Sequence, residues 1–283
     1  MVAKAKSKKS EVRGHLFGIK LVEKLIEFLR SKFSEKVLAF TLKWAMVVGH
    51  YALIAAAVIG LLFAIIYAIR VNDFYAFLVG IAWFLLVFVV QYIAHRFSDA
   101  GENLIKNNPT RLASKAFLDC VAFLFVIAGL VAFIIHLIGL IRTGDFNTFL
   151  MGLGVFLFFE FIAMVSFNFK TITIEIVKEA SAGQEAIGIV TFFIKGLMKL
   201  VPLFFGVGVA IGTIMLFVDS FGLFSDTRIS SAWISGNANG MSILTAGLLP
   251  FIAYIVFVLY YLVVDIVRAI LSLPGKIDGI SKK

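Results

Sequence analysis

The residues best placed for chemistry are ionisable side chains set inside long apolar runs, because each costs free energy to hold there. Glu160, in "VFLFFEFIAMV", and His136, in "AFIIHLIGL", lie deepest. A carboxyl at the place of Glu160 can bind a proton or a cation, or hydrogen-bond across helices while protonated. The structural alternative for both residues is polar glue between helices. His50 and His95 form a second candidate pair. Counted from the polar turn between them, they stand about 21 and 23 residues away, so they fall at one level. Two imidazoles at one level suit axial ligation of a b-type haem; the competing reading is a polar residue at a membrane boundary. The single cysteine, Cys120, excludes an internal disulfide and a cysteine metal site. Its apolar neighbours predict a small buried side chain. The sequence holds no HExxH, GxSxG or Walker glycine loop, so the expectation is a non-enzyme with no cofactor and no metal.

These residues sit in a composition that a soluble domain does not have. Hydrophobic residues make up 61% of the 283 and charged ones 15%, against an ordinary ~45–50% and ~25%. A bilayer must therefore be part of the solvent. Six apolar runs reach the ~20 residues needed to cross hydrocarbon: 45–69, 74–95, 117–141, 146–168, 199–218 and 242–264. The expected fold is an all-α integral membrane protein with six transmembrane helices. The basic start is followed by no short apolar region with a cleavage site, so no secretory signal is expected.

Lys and Arg set the expected orientation. Eleven lie before or at Lys43, four follow each of spans two and four, and four occupy the C-terminal tail. The opposite loops hold one each, Arg70, Arg142 and Arg228. Both termini are expected in the cytoplasm, with the chain in the inner membrane of a prokaryote. The lipid bilayer, with anionic headgroups favoured, is the first partner; nucleic acid is not expected.

An internal repeat organises the spans. "AIRVNDFYAFLVG" (68–80) and "LIRTGDFNTFLMG" (140–152) match at seven of thirteen positions, 72 residues apart. Asp73 and Asp145 stand where a side-chain oxygen can cap the next helix and suit its positive end. Arg70 and Arg142 stand three residues earlier, within reach of lipid headgroups or of those aspartates. Asn72 and Gly144 provide turn-permissive backbone. Gly80 and Phe84 correspond to Gly152 and Phe156, and Gly247 and Phe251 share the same i, i+4 spacing on one helix face. Three successive helix hairpins of like orientation follow, the third divergent. Gly208 and Gly212, in "GVGVAIG", mark a face where helices can approach closely. Pro202 and Pro250 interrupt spans five and six.

The segmentation expected is a basic tail at 1–10 and an N-terminal amphipathic interfacial helix at 11–43. Hairpins follow at 44–115, at 116–196 with a cytoplasmic amphipathic segment, and at 197–272, then a tail at 273–283. The amphipathic stretches suit either a lipid surface or a partner helix. The stretch 219–241, rich in Ser, Gly and Asn, reads as a loop without a regular element. The first functional expectation is a non-catalytic structural or interaction subunit of a membrane complex, through other subunits or self-association. A channel or transporter with Glu160 in its path is the alternative, and a haem-carrying electron-transfer anchor the second.

Overall fold

A computed structural model describes residues 17–178 and 180–281, with side chains over 19–178 and 180–270. The expected tail at 1–10 and the ends of the chain lie outside these. The helices are α1 (Phe17–Lys32), α2 (Glu35–Val71), α3 (Phe74–Asn107), α4 (Lys115–Thr143), α5 (Phe146–Phe167), α6 (Ala182–Gly222) and α7 (Ile229–Ser281). Six of them, α2 to α7, are long and apolar enough to cross a membrane. The chain is an integral, multi-pass membrane protein. At ~1.5 Å per residue α5 is ~33 Å long, enough to cross a ~30 Å hydrocarbon core, while α2, α3 and α6 exceed 50 Å and overhang it.

Local chemistry fixes where the helices start and stop. Asp73 accepts from the Tyr75 N–H at 2.9 Å and Asp145 from the Asn147 N–H at 3.0 Å, each capping the helix that follows. The preceding residues turn the chain through left-handed backbone, with φ 57° at Asn72 and 70° at Gly144. The Thr148 hydroxyl and the Asn147 N–H both hydrogen-bond the Asp145 carboxylate and hold it below the usual carboxylate range. Ser181 and Gln184 form a reciprocal capping box at the start of α6.

Several boundaries differ from the sequence reading. The helix expected over 11–43 is interrupted at 33–34, and α2 starts at Glu35, with the Ser34 hydroxyl accepting from the Val37 N–H. The stretch 219–241 is largely helical: α6 continues to Gly222 and α7 begins at Ile229. Its glycines pack rather than turn, since Gly236 faces the Phe63 ring and Gly240 the Trp83 ring. Asn239 meanwhile donates to Asp219 at 2.7 Å. The fold also contains β structure, a two-stranded parallel sheet of β1 (Thr110–Leu112) and β2 (Ile174–Ile176).

Contacts divide the chain into two units, one of 1–38 with 114–169 and one of 39–113 with 170–283. In the first, α4 and α5 pack along each other over Ala122, Val126, Ala163 and Phe167, with Ile26 and Leu29 of α1 and Phe33 just after it against that core. Arg30 pairs with Asp119, and Asn168 donates to the Phe33 carbonyl at 2.7 Å. In the second, α2, α3, α6 and α7 surround Leu53, Val90, Phe205, Val209 and Ile243. The backbone of Gly206 comes close to α2 there, where a Cβ would lie 2.1 Å from the Ala45 carbonyl oxygen.

Candidate functional site

The second unit holds a half-open cavity of about 630 Å³ near one end of its helices. α2 contributes Leu42, Lys43, Met46 and His50; α3 contributes His95, Phe97, Asp99 and Glu102; α6 and α7 bring Lys199, Pro202 and Pro250. A proline within a helix removes one i→i−4 hydrogen bond, and both prolines of the spans lie at this level. His50 and His95, at one level by their count from the turn, meet edge to face with ring centroids 5.8 Å apart. Phe205 backs His50 at 5.2 Å, and Gln91 donates to the His50 carbonyl at 3.3 Å. His50 Nε2 is buried and finds no hydrogen-bond partner among the described residues, whereas His95 Nε2 lies 3.9 Å from Asp99. Direct ring contact accounts for the closeness of the pair without an inserted group. Among the described residues no three His, Cys, Asp or Glu side chains cluster as metal ligands.

A second cavity, about 340 Å³, lies towards the Asn72–Asp73 turn of the same four helices. Trp83, Trp233 and Phe63 wall it, and Gly60, Gly80, Gly236 and Gly240 leave it room. Trp83 Nε1 donates to the Ala56 carbonyl at 3.0 Å, and Trp233 stacks on Tyr67 with centroids 4.0 Å apart. Along each helix, fully buried residues separate the two cavities: Leu53 and Ala56 on α2, Val90 on α3, Phe205 and Val209 on α6. Gly247 of α7 completes this layer, facing Val90 and Leu53.

Glu160 and His136 belong to the first unit and line neither cavity. Glu160 Oε1 is buried without a hydrogen-bond partner among the described residues, and it lies against Gly129, where a Cβ would stand 3.1 Å away. His136 packs on Gly152 and bonds the Ala132 carbonyl at 2.7 Å. The two polar residues do not meet.

The other residues singled out divide between turns and packing. Arg70 pairs with Asp226, in the connection from α6 to α7, rather than with Asp73. Gly80 faces Ala64, Gly208 faces Ala246 and Gly212 faces Ile243. Phe84 meets Phe88, Phe156 meets Phe133, and Phe251 meets Phe97. Cys120 is exposed, not buried: in a membrane-spanning helix an apolar neighbourhood in sequence does not by itself mean core.

Lys195 is the residue that sequence reasoning missed. It is fully buried, and its ammonium donates to the carbonyls of Asn108 and Ile172 (3.1 Å) and to the Thr173 hydroxyl (2.9 Å). Thr173 holds a left-handed φ of 54° and donates in turn to the Ile105 carbonyl at 2.6 Å. A β-branched residue resists that backbone, so the ammonium and the β1–β2 pairing hold it together. Nearby, Thr191 and Tyr260 share a hydrogen bond of 2.6 Å, and Glu185 accepts from the Ala113 N–H at 2.6 Å. In sequence Lys195 is one more basic residue beside a span, with nothing in its spacing to mark it as buried.

No family model, curated protein or solved structure matches this chain.

Proposed function

We propose that the chain is a non-catalytic multi-pass subunit that organises a membrane complex. In this reading its six spans are three successive hairpins descended from a repeat of about 72 residues, with both termini in the cytoplasm. α1 lies at the inner interface and offers the contact surface. The observation that carries the reading is on α1. Ile26, Leu29 and Phe33 face the first unit's own core, while Leu21, Leu25 and Phe28, spaced four and three apart, form a separate stripe that stays exposed. Arg30–Asp119 and Asn168–Phe33 fix the helix, so this stripe is presented by a rigid support. A fixed apolar row that no described residue covers suits a partner helix. The anionic bilayer surface is its other occupant, and Lys32 beside Phe28 suits that lipid.

Native mass spectrometry of the protein purified gently from its own host tests the proposal. The expected result is a stoichiometric second polypeptide that is lost in Leu25→Glu/Phe28→Glu while membrane insertion persists. Masses that are only multiples of this chain overturn it.

A transport path is the second reading, favoured by two cavities on the same four helices with one apolar layer between them. It moves the path from Glu160 to the second unit. With Cys120 replaced by serine, Gly247→Cys reacts with a water-soluble thiol reagent if that layer opens. A cysteine there that stays unlabelled from both sides counts against transport.

A further inference from the structure

The charges lining the larger cavity sort by wall. Lys43 stands on α2 and Lys199 on α6, and neither makes an ion pair or hydrogen bond among the described residues. Both carboxylates stand on α3, one turn apart, and both stay more than half exposed: Asp99 lies 3.9 Å from His95 Nε2, and Glu102 pairs with Lys106 at 3.1 Å, so each keeps acceptor capacity towards the cavity. Leu42, Met46, Val47, Phe97, Val201 and Pro202 supply the rest of the wall, so most of the lining is apolar. Water filling such a space would leave these side chains wet. A purely apolar occupant would leave two ammonium groups without partners, and would strip water from Asp99 and Glu102, which keep only the neighbours His95 and Lys106 on their own helix and the nearby Lys199 charge.

The occupant that matches each wall carries an anion, a cation and a hydrocarbon part in one molecule. It must also be found beside a helix end in a membrane. We propose that this cavity binds the headgroup of an amine-bearing phospholipid of the ethanolamine class. Its phosphodiester lies between Lys43 and Lys199, and its ammonium faces Asp99 and Glu102. The acyl chains leave along Leu42, Met46 and Phe97. A purely anionic headgroup would satisfy the lysines but meet like charge on α3. A choline headgroup brings a cation with no N–H to donate to the carboxylates. About 630 Å³ is within the usual range for a site that encloses a small molecule, ~300–1,000 Å³, and holds a headgroup with the first part of its chains. This binding does not rest on the subunit reading, because it concerns different helices and different residues.

The test uses full-length protein, delipidated in detergent and returned to nanodiscs containing equal parts of ethanolamine, choline and glycerol phospholipids. The lipid that survives re-extraction is then measured by mass spectrometry. The expected result is enrichment of the ethanolamine class on the order of tenfold over the starting mixture, the discrimination that ~1.4 kcal/mol provides. Lys43→Gln/Lys199→Gln should abolish the enrichment, with circular dichroism and gel filtration unchanged. Asp99→Asn/Glu102→Gln should keep lipid bound but shift the preference to the glycerol class. That reversal decides the matter even if the lysine variant does not fold. Retained lipid that mirrors the mixture overturns the proposal, as does a preference that neither pair of substitutions alters. Inorganic phosphate alone, if it displaces the lipid at millimolar concentration and protects equally against heat, reassigns the cavity to free phosphate and also overturns it.

Discussion

The two contact units solve the same problem in opposite ways. Each holds an ionisable group away from water. In the second unit Lys195 is surrounded by three oxygens of its own chain, drawn from the end of α3 and from the turn before β2. In the first unit Glu160 has an oxygen with no hydrogen-bond partner among the described residues, facing Gly129 of α4. A buried charge whose partners are all internal is a fastener, because removing it leaves those partners unpaired. A half-buried carboxyl with one oxygen left unpaired among the described residues gives the fold nothing of that kind. The difference teaches which polar residue to examine for structure and which for activity.

The largest expected effect is on the fastener. Lys195→Met should lower unfolding stability by about 3 kcal/mol, the typical cost of stranding the acceptors of a buried charge. It should also expose 108–113 and 172–178 to protease in detergent. A loss below ~1 kcal/mol would break the contrast, since the ammonium would then be no more important than the carboxyl. Next comes a steric version of the same comparison. Gly206→Ala drives a Cβ into the Ala45 carbonyl and should cost about 2 kcal/mol, whereas Gly154→Ala, with nothing within 4 Å, should be neutral or slightly stabilising. Thermal melts of the two variants side by side decide it; equal melting would mean that α2 and α6 do not cross this closely. The smallest effect is at Glu160. Glu160→Leu should raise stability by about 1 kcal/mol by removing an unsatisfied group. A loss of stability instead would show that the carboxyl bonds to something outside this chain, and would turn the contrast around.

Much of the helix plan was legible in the sequence because the bilayer imposes a length and a composition on every crossing. Five of the six apolar runs lie wholly within helices and the fourth passes the end of α5 by one residue, and Asp73 and Asp145 announce the starts of α3 and α5 by their place before an apolar run. The helical start of α7 was not legible. Ser, Gly and Asn read as loop by local preference, and only tertiary packing reveals that Gly236 and Gly240 are small to admit Phe63 and Trp83. The β1–β2 pair escaped for another reason. Each strand has three residues, too short for any alternation to register, and their pairing joins segments more than sixty residues apart. The cavity was half visible: its histidines follow from counting along two helices, but Lys43, Lys199, Asp99 and Glu102 looked only like ordinary boundary charges. Whether such a charge faces water or a cavity depends on neighbouring helices that sequence periodicity does not see.

The fastening around Lys195 also has a consequence for biosynthesis. Asn108 and Lys195 are separated by 87 residues. At ~5–20 residues per second a ribosome needs roughly 4–17 s to make that interval. For those seconds the end of α3 has been made but its cation has not. α4 and α5 are synthesised while the β1 strand still lacks both its partner strand and its ammonium. The end of α3 can therefore be completed only after the chain has entered α6, which makes the fifth crossing a timing signal for the finishing of the second.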